Sequence, residues 1–383
     1  MYTPYQNYCK RHQNSDKYRV LPAVNAFDES NLLDFASNDY LCLSRNLDVL
    51  AAALQAGERF GMGATGSRLL SGNNQLFEDF EAQIAVDKKS QSALIFNSGF
   101  QANSSVLASI LDSQVLGSQA LVFADRLIHA SLYQGIFLAR AELIRYRPQS
   151  MAHLSDLLNK YLDDPRPKFI VTETVFGMDG SMVDLEKLMS LCQQHRAFLY
   201  LDEAHATGIF GDKGYGLSTT GELKDQDFPY LVMGTFSKAL GCFGAYIAGS
   251  LSLKNFLINK CSGFIYATAL SPLIIGAAAQ AWCMIPKLKS QREQLLSKSA
   301  NLRSDLQALG FDIGTSTTHI IPIILGSAEA TLKAQKKLLE LGISVSAIRP
   351  PSVGPGTSRL RIALNTGHTV EDINKLYQAL SQL

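Results

Sequence analysis

Asp202, His205 and Lys238 are the residues of this chain whose types and spacing carry the most chemistry. Phe198 to Asp202 is an apolar run leading into Asp202-Glu203-Ala204-His205, and Tyr230 to Gly234 is another leading into Thr235-Phe236-Ser237-Lys238. An acid at a strand end can hold a proton on an aromatic nitrogen. A histidine three residues later can reach a ring oxygen, and a lysine one strand over can form an imine with an aldehyde. Together they build an electron sink. The residues after the lysine, Ala239-Leu240-Gly241-Cys242-Phe243-Gly244, are apolar and glycine-rich, which desolvates the amine as an imine-forming lysine requires. A single lysine or aspartate is ordinarily a surface charge or a helix cap. Their shared position at strand ends favours the chemical reading.

Two further groups support it. Asn97-Ser98-Gly99-Phe100 joins an apolar run to a helix pattern, so backbone N–H groups at a helix start can take a phosphate, with the Thr235 hydroxyl adding a donor. His129 follows another apolar run, where an imidazole can stack on a ring face. Two familiar strings are set aside. Gly61-Met62-Gly63-Ala64-Thr65-Gly66 has dinucleotide-loop spacing but follows a helical pattern instead of a strand. Asp202-Glu203-Ala204-His205 spells the DEAH string of nucleotide-dependent helicases, yet the chain has no G-x-x-x-x-G-K-[ST] loop to hold a nucleotide phosphate.

The elements that must position these residues alternate. Apolar runs at Ala93 to Phe96, Ala120 to Ala124, Phe169 to Glu173, Phe198 to Asp202, Tyr230 to Gly234 and Ala245 to Ala248 predict strands. Helices are predicted near Leu76 to Val86, Ala102 to Leu111, Leu154 to Leu162 and Leu185 to His195. Continuously apolar strands interleaved with helices imply an α/β fold, a mostly parallel central sheet with helices on both faces. Sites on such sheets lie at strand C-terminal ends, and four polar strand ends here predict one functional rim. An amphipathic stretch from Lys287 to Leu309 then leads into strands near Ile320 to Leu325 and Arg359 to Leu364. The expected organisation is an N-terminal arm over 1–45, a large domain over 46–285 and a smaller α+β domain over 286–383.

Thirty-five basic residues balance 34 acidic ones without a dense basic run, which argues against nucleic-acid or anionic-lipid partners and for small molecules. Six scattered cysteines without a CxxC pair predict neither a zinc site nor a disulfide framework, so no metal is expected and a cytoplasmic location fits. The N-terminus lacks a secretory pattern, and the longest apolar run, Ser271 to Met284, is too short to span a bilayer.

The chain resembles the α-oxoamine synthase family of fold type I pyridoxal-phosphate enzymes over nearly its whole length. The resemblance rests on Ser37-Asn38-Asp39-Tyr40-Leu41, Gly66-Ser67-Arg68-Leu69-Leu70-Ser71-Gly72, Asn97 to Phe100 and Asp125-Arg126-Leu127-Ile128-His129-Ala130-Ser131. It continues through Met178-Asp179-Gly180, Asp202 to Gly208, Thr235 to Lys238, Ile348 to Val353 and Gly356 to Arg361.

By that resemblance the cofactor is pyridoxal 5'-phosphate. Lys238 is its anchor and the catalytic base, Asp202 faces the pyridine nitrogen, His205 the ring oxygen, and His129 stacks on the ring. Gly99 and Phe100 contact the cofactor by backbone, Thr235 binds its phosphate, and Thr268 lends a hydroxyl across a homodimer interface. Arg361 takes the amino-acid carboxylate, and Arg19, Asn38, His129 and Ser352 line the substrate side. Within the family the resemblance is to the member joining L-alanine to a pimeloyl thioester, carried on coenzyme A or acyl carrier protein. Members that join other pairs, such as 2-amino-3-ketobutyrate ligase, are the alternatives. Three departures stand out: Gly177 where the family commonly has a serine, Cys42 for a glycine, and Ser352 for a threonine.

Overall fold

The computed structural model describes residues 1–13, 18–19, 21, 32–220, 223 and 228–383. Its strands, in chain order, are β1 (Leu33–Asp34), β2 (Ser92–Phe96), β3 (Leu121–Asp125), β4 (Glu142–Tyr146), β5 (Lys168–Glu173) and β6 (Phe198–Asp202). They continue with β7 (Tyr230–Thr235), β8 (Ala245–Gly249), β9 (Ile320–Gly326), β10 (Ile343–Ser344), β11 (Ser346–Ile348) and β12 (Ser358–Ala363).

Seven strands form the main sheet in the order β2-β8-β7-β6-β5-β3-β4. Strands β3 to β7 are mutually parallel, and β8 runs against both of its neighbours, β2 and β7. Six strands therefore point one way. The C-terminal ends of β2, β3, β6 and β7 lie along a single edge, as the mostly parallel reading requires.

Nearly every residue of the inner strands is buried, because alternate side chains enter helical layers on opposite faces. Phe169, Val171, Tyr200 and Met233 join Val106, Leu132 and Ile136 in one layer. Ile170, Leu199, Leu201 and Val232 join Leu154, Leu158, Leu188 and Leu191 in the other. The sequence reading missed β4 and the helix Ala130–Leu138. As the edge strand, β4 is half exposed, and Glu142 and Arg145 break its apolar pattern.

The chain divides into two compact units. The larger holds Asn38–Phe176 and Met182–Arg292, including the main sheet. The smaller gathers Met1–Ser37, Gly177–Ser181 and Glu293–Leu383. In it β11, β12 and β9 form an antiparallel sheet. The early β1 pairs in parallel with the late β10, and Phe35 stacks on His368 with ring centroids 4.1 Å apart. Part of the N-terminal arm expected over 1–45 lies outside the described residues. No helix among the described residues is long and apolar enough to cross a membrane.

Candidate active site

Lys238 stands just past β7, half-buried, and its Nζ lies 2.8 Å from His205 Nε2. The opposite ring nitrogen, Nδ1, lies 2.7 Å from the Tyr40 hydroxyl, which donates to Asn38 Oδ1 at 2.9 Å. With its hydrogen directed at Asn38, the Tyr40 oxygen accepts from Nδ1–H, leaving Nε2 as the acceptor that faces the lysine ammonium. His205 thus reaches Lys238 in this structure. The turn bearing it is held close by Gly208, whose φ is +92° and where an added Cβ would collide with Ala239, the residue after the lysine.

Asp202 ends β6 and is almost wholly buried. Its Oδ1 accepts from Ala204 N–H at 2.8 Å and its Oδ2 from Asn103 Nδ2 at 2.7 Å, so the carboxylate has a fixed orientation. His129, past β3, caps the helix Ala130–Leu138: its Nδ1 accepts from Ser131 N–H at 3.2 Å and lies 2.7 Å from Ser131 Oγ. The backbone N–H of His129 donates to Glu173 Oε1 at 2.6 Å. Part of the imidazole surface stays open, yet desolvation lowers its pKa below 6.5; Asp202 opposes the shift and Lys238 adds to it. The ring is accordingly neutral and free to stack, with Phe100 edge-on at 6.4 Å.

At the end of β2, Ser98 caps the helix Gly99–Ile110 by accepting from Gln101 N–H. Gly99 and Phe100 fall in its first turn, where backbone donors have no partners within the helix. A Cβ added at Gly99 would sit 3.8 Å from Thr235 Cβ, so the glycine keeps open a gap between the helix start and the end of β7. The Thr235 hydroxyl donates to Gly244 O and lies 2.7 Å from Ser237 Oγ. Thr268 is exposed, and its carbonyl accepts from Asn97 Nδ2 at 2.8 Å. Asn38, Gly99, Phe100, His129, Asp202, His205, Thr235 and Thr268 all lie in the larger unit with Lys238.

The three remaining residues belong to the smaller unit. Arg361, buried in β12, donates through Nε to the Gly177 carbonyl at 2.6 Å. The chain therefore uses position 177 through its backbone where a serine would offer a hydroxyl. Arg19 donates to Ser352 Oγ at 3.0 Å, both at the surface.

Sequence reasoning overlooked three contributors. Tyr40 and Asn103 each bind a named residue from far along the chain, and neither type stands out in its own segment. The third is Glu203, ion-paired in the interior with Lys88, whose Nζ also donates to Tyr215 O at 2.6 Å and Ser218 Oγ at 2.8 Å. Burial lowers the Lys88 pKa and Glu203 works against that shift. Only the string Asp202 to His205 hinted at Glu203, and it pointed to different chemistry.

A buried acid, a lysine within reach of a histidine, an open imidazole and a helix start beside a hydroxyl cluster suit the nitrogen, aldehyde, ring face and phosphate of pyridoxal phosphate. Residues 30–380 match the family Aminotransferase class I and II. A Paramagnetospirillum magneticum protein named provisionally as an 8-amino-7-oxononanoate synthase is 46% identical over 349 residues, covering 91% of this chain and 88% of its own length. A serine palmitoyltransferase from S. paucimobilis, solved with pyridoxal phosphate and myriocin, superposes with a TM-score of 0.89 at 25% identity, covering 100% of this chain and 96% of that one. An 8-amino-7-oxononanoate synthase structure from Francisella tularensis gives a TM-score of 0.77 at 27% identity, covering 92% and 97%.

Proposed function

Because the chain belongs to the aminotransferase class I and II family and is a pyridoxal-phosphate-dependent enzyme, we propose that it condenses L-alanine with a pimeloyl thioester. The products are 8-amino-7-oxononanoate, CO2 and the free thiol carrier, a step of biotin biosynthesis. The observation that carries the reading is Lys238 at the end of β7, 2.8 Å from His205, with the buried Asp202 at the end of neighbouring β6. The choice of alanine and a pimeloyl group is supported by the name given to the 46% identical relative.

When bound, pyridoxal phosphate supplies an aldehyde that takes up the amino acid and a protonated ring that accepts electrons from its α-carbon. The chain's own residues do the rest. Asp202 holds the proton at the pyridine nitrogen, its orientation fixed by Asn103 and Ala204. Lys238 would anchor the cofactor and, as a free amine, would take the α-proton; His205, 2.8 Å from its Nζ, would position that amine beside the ring oxygen it is expected to meet. His129 covers the ring face as a neutral imidazole. Gly99, Phe100 and Thr235 hold the phosphate, with Thr268 contributed across a homodimer. Arg361 binds the alanine carboxylate, Arg19 and Ser352 meet the acyl thioester, and Asn38 lines the substrate side. We place the enzyme in the cytoplasm, where both substrates and reduced thiols are available.

A matrix of amino acids against acyl thioesters, read by product mass and thiol release, tests the proposal. Thiol release should require alanine together with a pimeloyl thioester on coenzyme A or acyl carrier protein. Faster turnover with glycine and acetyl-CoA, or with serine and palmitoyl-CoA, would move the chain to another member of the family.

A further inference from the structure

We infer that Asn103 is a positioning residue that fixes the Asp202 carboxylate and the His129 ring relative to each other, an inference that rests on the cofactor site proposed above. Asn103 lies inside the helix Gly99–Ile110 and is 1% exposed. One Nδ2 hydrogen goes to Asp202 Oδ2 at 2.7 Å and the other to Ser131 Oγ at 2.9 Å. The amide oxygen accepts from the Tyr200 hydroxyl at 2.9 Å. A primary amide offers two donors and a carbonyl, and all are engaged. Rotating it by half a turn would set its oxygen against the Asp202 carboxylate and its N–H2 against the Tyr200 hydroxyl hydrogen. Tyr200, itself fully buried on β6, therefore acts as the lock on the amide's orientation.

The second branch runs to the histidine. Ser131 Oγ accepts from Asn103, so its own hydrogen is available to His129 Nδ1, 2.7 Å away, where Ser131 N–H also points. Nδ1 is thereby an acceptor, and the proton of the neutral ring sits on Nε2. One buried amide thus joins the group assigned to the pyridine nitrogen with the group assigned to the ring face. In a buried network of this kind each lost partner leaves another polar group unsatisfied, so its members act together.

The test uses purified enzyme freed of cofactor and titrated with pyridoxal phosphate by absorbance. Exchange of the alanine α-hydrogen with deuterated water is then followed by NMR without any acyl thioester. Asn103→Asp keeps the side-chain volume but puts an acceptor against Asp202; it should weaken cofactor affinity and slow exchange, each by about tenfold or more. Tyr200→Phe removes only the lock and should weaken affinity by about threefold. Ser131→Ala cuts only the histidine branch, slowing exchange while holding affinity within about twofold. Thermal melting separates these effects from loss of fold. Asn103→Asp and Tyr200→Phe proteins that keep wild-type affinity and exchange rate, whatever their melting temperatures, would overturn the inference. A wild-type protein that exchanges the alanine hydrogen yet turns over no pimeloyl thioester would overturn the substrate reading alone.

Discussion

His319 shows how a single residue's surroundings set a property of the chain. It is fully buried in the smaller unit, and burial, then the positive charges of Arg361 and Arg303, push its pKa from 6.5 to about 3. The folded chain therefore leaves His319 neutral where the unfolded chain would protonate it. That stability is complete above pH 6.5 and is lost as pH falls from 6.5 toward 3. From His319 alone the loss between pH 6.5 and 5 should be about 2 kcal/mol, read as a falling urea midpoint. His319→Gln should flatten that slope; an unchanged slope would show that the proton uptake lies elsewhere. Site residues divide in the same way between what their own segment states and what distant partners decide. Lys238, Asp202, His205 and His129 stood out as candidates because each follows an apolar run. Tyr40 did not, since its partner His205 lies 165 positions away and only folding brings them together.

Among the elements, β6 ends on Asp202 and the turn after it carries His205, with Glu203 anchoring the chain between them. Its carboxylate binds Lys88, the residue that closes the helix Gln75–Asp87, and Ser218 through both N–H and hydroxyl. Removing one member of a buried pair strands the other charge, so Glu203→Gln or Lys88→Met should cost about 3–5 kcal/mol in urea unfolding. The double variant Lys88→Met with Glu203→Leu should recover much of it. If the single variants lose stability but bind pyridoxal phosphate as the wild type does, the pair holds the fold without holding the site. The central strands were legible because both of their faces are buried and their runs are continuously apolar. The edge strand β4 was not, because exposure mixes Glu142 and Arg145 into its pattern, and the nine-residue helix behind His129 was not, because it exposes Phe137 and Leu138 while burying Ser131, which blurs its periodicity.

Across the whole molecule, six strands pointing one way place the polar ends of β2, β3, β6 and β7 on one edge of the main sheet. The fold class followed from strand and helix alternation. The membership of the smaller unit did not, because β1 pairs with β10 and the segment Gly177–Ser181 joins it by contacts that no local pattern encodes. The proposed homodimer predicts sedimentation at twice the 41.8 kDa chain mass, with specific activity falling on dilution into the monomer range. Activity that stays constant through dissociation would contradict the role given to Thr268. Every role proposed for the site depends on Lys238 anchoring the cofactor. Borohydride reduction of the enzyme with bound pyridoxal phosphate, followed by peptide mass analysis, tests it most directly. A pyridoxyl group is expected on Lys238, with no fixed label in Lys238→Ala; a label on Lys88 or any other lysine of the wild-type protein would show that Lys238 is not the anchor.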